Sequence, residues 1–132
     1  VITAVDSSVL LDVLCADPHF ATSSEKALRT SMADGQLVVC ECVIAEITPA
    51  LKWNRVEEFL QDWALTFVPS STASAMLAGD MFGLYLQRGG KASRVLPDFL
   101  IGAHAVKHAD RLLARDRGYL RDYFRHLKLI QP

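Results

Sequence analysis

Residues 1–14, VITAVDSSVLLDVL, decide the fold. Val1 to Val5 form a short, mostly apolar run whose β-branched residues suit a strand. Asp6, Ser7 and Ser8 interrupt it, and apolar residues resume at Val9. The stretch therefore reads as a buried strand turning into a buried helix, with a carboxylate at the junction. Taken alone, Asp6 has an ordinary explanation as a helix cap, a role Ser7 and Ser8 fill equally well.

The same strand-then-helix order recurs along the chain. Strand signals fall at Ile2–Asp6, Leu37–Cys40, Leu65–Pro69 and Arg111–Arg115, with a short one at Leu127–Ile130. Ser23-Ser24 followed by EKALRTSMADG reads as a cap, an amphipathic helix and a glycine stop at Gly35. CVIAEITPALKW and RVEEFLQDWA read as two short helices, with Pro49 kinking or ending the first. STASAMLAGDMFGLYLQRGG reads as a long helix stopped by Gly89-Gly90, and PDFLIGAHAVKHA as a helix with Pro97 in its first turn. Alternating strands and helices predict an α/β fold: a three-layer α/β/α sandwich around a central parallel sheet. No repeat, low-complexity tract or linker divides the chain, so residues 1–132 are expected to form a single domain.

Composition narrows the class. The chain is 51% hydrophobic and 22% charged, the balance of an ordered globular protein, and no apolar run reaches membrane-spanning length. Its three cysteines, Cys15, Cys40 and Cys42, make no disulfide framework; Cys40 and Cys42 read as buried, inert thiols. A reducing, cytoplasmic setting is expected. The net charge of −1 conceals an asymmetry. Residues 1–80 carry four basic and eleven acidic side chains, whereas residues 81–132 carry ten basic and four acidic ones. That split suits a polyanionic partner on the C-terminal side, or else a salt-bridged surface.

In an open parallel sheet, ligands bind beyond the carboxyl ends of the strands, near the point where strand order reverses. Asp6 closes the first strand and Asp116 follows the RLLAR strand, so both lie on that edge. Asp98 starts the helix leading into that strand. About 18 Å of helix out and about 17 Å of strand back return the chain to the same edge. Glu46 sits in the first turns of the helix after the second strand, which also begins there. Four carboxylates thus converge from distant segments. Like charges in a partly desolvated cleft raise one another's pKa, and a divalent cation relieves the repulsion. Oxygen-only donors select hard ions such as Mg²⁺ or Mn²⁺. Such a centre activates water and stabilises charge on a phosphate.

VITAVDSSVLLDVL, VIAEI, VLPDFLIGAHA and LLARD occur in the order and at the spacing of a PIN domain, and the whole chain resembles a VapC-type toxin of a bacterial toxin–antitoxin pair. The resemblance implies a Mg²⁺- or Mn²⁺-dependent endoribonuclease that hydrolyses RNA phosphodiesters and inhibits translation or growth. It implies Asp6, Glu46, Asp98 and Asp116 as the acidic catalytic residues, with Asp6, Asp98 and Asp116 holding metal. Glu46 would bind through water or act as a general base. Ser8 matches the small polar position that supports the first aspartate. A cognate antitoxin and a homodimer, formed through the helices around residues 25–60, are implied as partners, and no membrane is. The chain departs from the family at Ala114, where a Thr or Ser commonly stands, so a hydroxyl that would orient a carboxylate is missing. Arg88, Lys91 and Arg94 beside the Gly-Gly pair, with Arg117, are suited to gripping RNA phosphates, and Arg115, Arg121 and Arg125 extend the basic track.

Each acid also has a plainer reading: a buried ion pair for Glu46, a first-turn dipole residue for Asp98, a surface position for Asp116. Asp12 is turned about 120° from Asp6 around a helix and reads as peripheral. His104 and His108, four apart but without a metalloprotease Glu between them, read as surface histidines. Met76, Met81, Phe82 and Leu84 read as core in preference to a partner-facing stripe. An aspartate-nucleophile phosphatase would want Asp-x-Asp-x-Thr, and Ser8 stands where the second Asp belongs. The remaining alternative is a non-catalytic RNA- or protein-binding module on the same fold.

Overall fold

Five parallel strands lie in the order β3-β2-β1-β4-β5 in the computed structural model, which describes residues 1–92 and 94–132. They are β1 (Ile2–Val5), β2 (Gln36–Val39), β3 (Leu65–Phe67), β4 (Arg111–Leu113) and β5 (Leu129–Ile130). All five apolar runs singled out in the sequence contain strands; four are shorter than expected, and β2 is displaced by one residue, starting at Gln36 and ending at Val39. β1 is central: Ala4 is in register with Val38 of β2 on one side and Leu112 of β4 on the other. Ala4, Val5, Val38, Val39, Leu112 and Leu113 are all buried, as a parallel sheet covered on both faces requires. Strand order reverses between β1 and β4, and that is where the crevice opens.

Among the described residues seven α-helices flank the sheet: α1 (Ser7–Leu14), α2 (Ala21–Asp34), α3 (Glu41–Ile47), α4 (Val56–Asp62), α5 (Thr72–Gln87), α6 (Leu96–His108) and α7 (Tyr119–Tyr123). Pro49 ends α3 by starting a 3₁₀ turn at Thr48–Ala50, because its ring cannot continue the α-helical ladder. α5 and α6 form an antiparallel pair. His108 at the end of α6 meets Ser71, the cap of α5, while Tyr85 near the end of α5 stacks on Phe99 at the start of α6. Phe99 is fully buried and anchors this side of the core. The rings of Phe82, Tyr85, Tyr119, Tyr123 and Phe124 surround it at centroid distances of 5.7, 5.5, 5.9, 5.3 and 6.3 Å, in tilted and edge-on arrangements favoured by the ring quadrupoles.

Four sequence expectations are corrected. His104 is 1% exposed and not a surface residue; its Nε2–H donates to the Val68 carbonyl at 2.7 Å, and burial pushes its pKa down. His108 is half-buried beside it, so neither is free surface. α2 begins at Ala21, which places Ser24 inside the helix as a buried partner of Asp12 instead of at the cap. Met76 and Leu84 are exposed, while Met81 and Phe82 pack against the core, so only half of the stripe is core. Cys40 is buried as expected, but Cys42 is only half-buried.

Gly102 marks the tightest approach between α6 and α7. A Cβ there would lie 2.6 Å from the Phe124 ring and 2.9 Å from a Leu120 methyl. Phe124 is itself buried, so the ring cannot swing out. Gly102→Ala is expected to destabilise the fold by about 1–3 kcal/mol through overpacking, read as a lowered urea midpoint with an unchanged m-value.

Candidate active site

Asp6 leaves β1 with extended backbone and caps α1, as its plainer reading required. Its Oδ2 accepts the Ser8 backbone N–H at 3.1 Å and the Ser8 hydroxyl at 2.5 Å. The Ser8 Oγ in turn accepts the Arg115 N–H at 3.2 Å, tying the end of β1 to the end of β4. The capping role does not remove the carboxylate from the crevice. Asp6 lines a cleft of about 130 Å³ together with Glu46, Asp98 and Asp116. All four acids inferred from the sequence therefore reach one cleft.

Each acid is held differently. Glu46 Oε1 accepts the Ser7 hydroxyl at 2.9 Å. Asp116 accepts three backbone N–H groups, from Gly118 at 2.9 Å and Leu120 at 3.1 Å on Oδ1 and from Arg121 at 3.1 Å on Oδ2, so it nucleates α7. Asp98 sits in the first turn of α6, where the helix dipole favours an anion. Burial pushes the Asp98 carboxyl up to about 6, with the charges of Asp6, Glu46 and Asp116 adding to the rise and Arg117 opposing it. Burial also raises the pKa of Asp6, against the hydrogen bonds from Ser8.

The donor set fits a hard divalent cation. It is oxygen-only, and burial together with the neighbouring acids lifts Asp98 to about 6, a penalty on its charged form that a cation would relieve. Among the described residues no three Asp, Glu, His or Cys side chains already close on one point. The acids face a shared cleft and would draw together around an ion. Asp116 has the least to offer it, since both its oxygens already accept backbone bonds.

Of the basic residues expected to grip phosphate, Arg94 and Arg117 line the cleft. Arg94 holds a left-handed backbone, φ 60°, at the rim. Arg88 stands away from the cleft with its guanidinium 5.2 Å over the Tyr123 ring. Lys91 is exposed, and its carbonyl accepts the Tyr85 hydroxyl at 3.0 Å. Asp12, read as peripheral, is instead 2% exposed: it accepts Arg115 Nη2 at 2.5 Å and the Ser24 hydroxyl at 2.7 Å. A buried carboxylate must find a cation, and Arg115 arrives from the end of β4 to supply one. Sequence reasoning missed Ser7, Arg115 and Tyr119 as cleft residues. Ser7 was legible from its place beside Asp6 at the helix start; Tyr119 left no signal.

A crevice between β1 and β4 walled by carboxylates defines a class of α/β proteins, and sequence comparison identifies which one. The PIN domain family model matches residues 3–124, so the chain belongs to the PIN-domain family. The fold is also that of solved structures of low sequence identity. One is described as VapBC2 from Rickettsia felis bound to a DNA fragment from their promoter: TM-score 0.74, 16% identity, covering 100% of this chain and 99% of that one. A second is VapBC-1 from nontypeable Haemophilus influenzae: TM-score 0.73, 12% identity, coverage 99% and 98%. A third is FitAcB from Neisseria gonorrhoeae: TM-score 0.71, 15% identity, coverage 97% and 96%. No curated protein matches by sequence. Among the described residues no helix is long and apolar enough to cross a membrane.

The raised Asp98 pKa fixes the sign of a pH effect. Between 3.8 and about 6 the folded chain holds a proton that the unfolded chain has lost, so stability falls as pH rises through that window. In metal-free protein Asp98→Asn is expected to raise Tm at about pH 7.5, with the gain vanishing near pH 4. Carboxyl NMR titration should place Asp98 near 6 and find it lower in Asp6→Asn.

Proposed function

We propose that this PIN domain is a Mg²⁺- or Mn²⁺-dependent endoribonuclease and the toxin component of a type II toxin–antitoxin pair. The observation that carries the reading is the meeting of Asp6, Glu46, Asp98 and Asp116 in one cleft, with Asp98 pushed up to about 6 by burial and its acidic neighbours. Asp6 and Asp98 would hold the ion, with the remaining lone pairs of Asp116 completing the set. When bound, the ion lowers the pKa of water and neutralises charge developing on the phosphate. Glu46, with Oε1 engaged by Ser7, has Oε2 to take the proton of the attacking water as its oxygen bonds to phosphorus. The bond from phosphorus to the leaving ribose oxygen breaks in the same displacement. Arg94 and Arg117 would hold the phosphate oxygens on either side of the scissile bond.

The neighbouring solved structures are VapBC and FitAcB assemblies. By that likeness a cognate antitoxin would restrain this chain; the homodimer and the cytoplasmic setting rest on the sequence reading alone. The second reading, a non-catalytic RNA- or protein-binding module, draws on two observations. Ala114 carries no hydroxyl toward the cleft, and Asp116 is committed to capping α7.

Total RNA incubated with Mg²⁺ or Mn²⁺ should yield discrete fragments that EDTA and Asp98→Asn abolish, and Glu46→Gln should slow cleavage by about 10²–10⁴-fold. Cleavage indifferent to EDTA and to both substitutions, or none at all with wild type, would promote the binding-module reading.

A further inference from the structure

The cleft of about 130 Å³ is smaller than the roughly 300–1,000 Å³ of sites that enclose small molecules. Its size and its acids suit an ion and a phosphate group. A second depression, of about 410 Å³, lies between α5 and α7. Met81 and Leu84 supply its apolar wall, with Leu84 38% exposed, and Tyr123 supplies an aromatic one. Arg88, Arg125 and His126 bring it basic groups. We propose that this groove is a subsite for a nucleotide of single-stranded RNA adjoining the scissile phosphate, an inference that rests on the ribonuclease reading above.

Continuity with the cleft is the first argument. Tyr119 lines the cleft and Tyr123 lines the groove, four residues apart on α7 and so about 6 Å apart along its axis. Both rings pack edge-on against Tyr85, at 5.5 and 6.1 Å, and both pack on Phe99. The same aromatic cluster therefore backs both the cleft and the groove. A strand whose phosphate sits among Arg94 and Arg117 would meet it at the next nucleotide.

Chemistry is the second. Single-stranded nucleic acid is bound by aromatic and apolar faces that stack bases, flanked by cations that track the backbone. The groove has both. The Arg88 guanidinium is fixed over the Tyr123 ring, and among the described residues Arg88, Arg125 and His126 have no carboxylate within salt-bridge distance. The groove's one acid, Asp122, lies 3.9 Å from Arg121 and is partly neutralised by it.

The test is fluorescence anisotropy with Asp98→Asn protein in Mg²⁺, using a labelled single-stranded RNA, a duplex RNA of equal length and an acidic peptide. Adding Arg125→Ala and His126→Ala should weaken single-strand binding about tenfold and reduce its salt slope by about one for each phosphate no longer neutralised. Tyr123→Leu should weaken it by about tenfold with the salt slope unchanged, the signature of a missing stacking face. Should Tyr123→Leu fail to fold, the Arg125/His126 arm decides. Single-strand binding unchanged in the variants, equal losses on single strand and duplex, or equal capture and loss of the acidic peptide would overturn the proposal. Variant-sensitive binding of single strands by a chain that cleaves nothing would retain the subsite and remove the hydrolysis reading. Cleavage and binding both unaffected by the variants would do the reverse.

Discussion

The Ser8 hydroxyl joins the two halves of the sheet at the point where strand order reverses. It donates to Asp6 at the end of β1 and accepts the Arg115 N–H just past β4. The Arg115 guanidinium then reaches Asp12 on α1, which also takes the Ser24 hydroxyl from α2. Because Asp12 is almost fully buried, leaving it without its cation would cost about 3–5 kcal/mol. The pair thus fixes α1, α2 and the end of β4 in one arrangement, and the direction of Asp6 follows from it. A buried ion pair outside the acidic cleft thus braces the turn from which Asp6 enters it.

Burial pushes the carboxyls of both Asp6 and Asp98 up, but the two are held differently. Asp6 has Ser8, Glu46 has Ser7, and Asp116 has three backbone N–H groups. Each of those bonds favours the charged form. Asp98 has no hydrogen-bond donor of this kind among the described residues, only the α6 dipole and the charge of Arg117. Its own burial and the charges of the other three acids push it up to about 6. A cation entering the cleft would be attracted most by the group that the protein itself has compensated least.

Fold and acids were legible in the sequence because they depend on patterns that are local or topological. A parallel sheet needs apolar runs separated by helices, and its carboxyl edge collects whatever residue follows each strand, so Asp6 and Asp116 were placed by position alone. What escaped depends on packing between segments far apart in the chain. His104 looks like any polar residue on a helix until Val68, just past the end of β3, is brought against it. Asp12 is turned away from Asp6, as its helical offset requires, but what it faces is Arg115, more than a hundred residues on. Tyr119 belongs to a cluster whose other members come from α5, α6 and α7, and no spacing within one segment announces it.

The charge asymmetry along the chain acquires a structural cause once the topology is known. Part of the C-terminal excess of cations is used inside the fold: Arg111 donates to Thr3 and Asp34, and Arg115 to Asp12. Those bonds stitch β4 to the acidic N-terminal half. Of the others, Arg94 and Arg117 line the cleft and Arg88 and Arg125 the groove beside it, because the segments bordering the cleft on the β4 side, from the end of α5 into α6 and from β4 through α7, all belong to residues 81–132. Strand order thus makes the two halves of the chain complementary. The first half contributes Asp6 and Glu46 to the cleft floor, and the second returns with Asp98 and Asp116 and with the cations that a polyanion approaching four carboxylates would need.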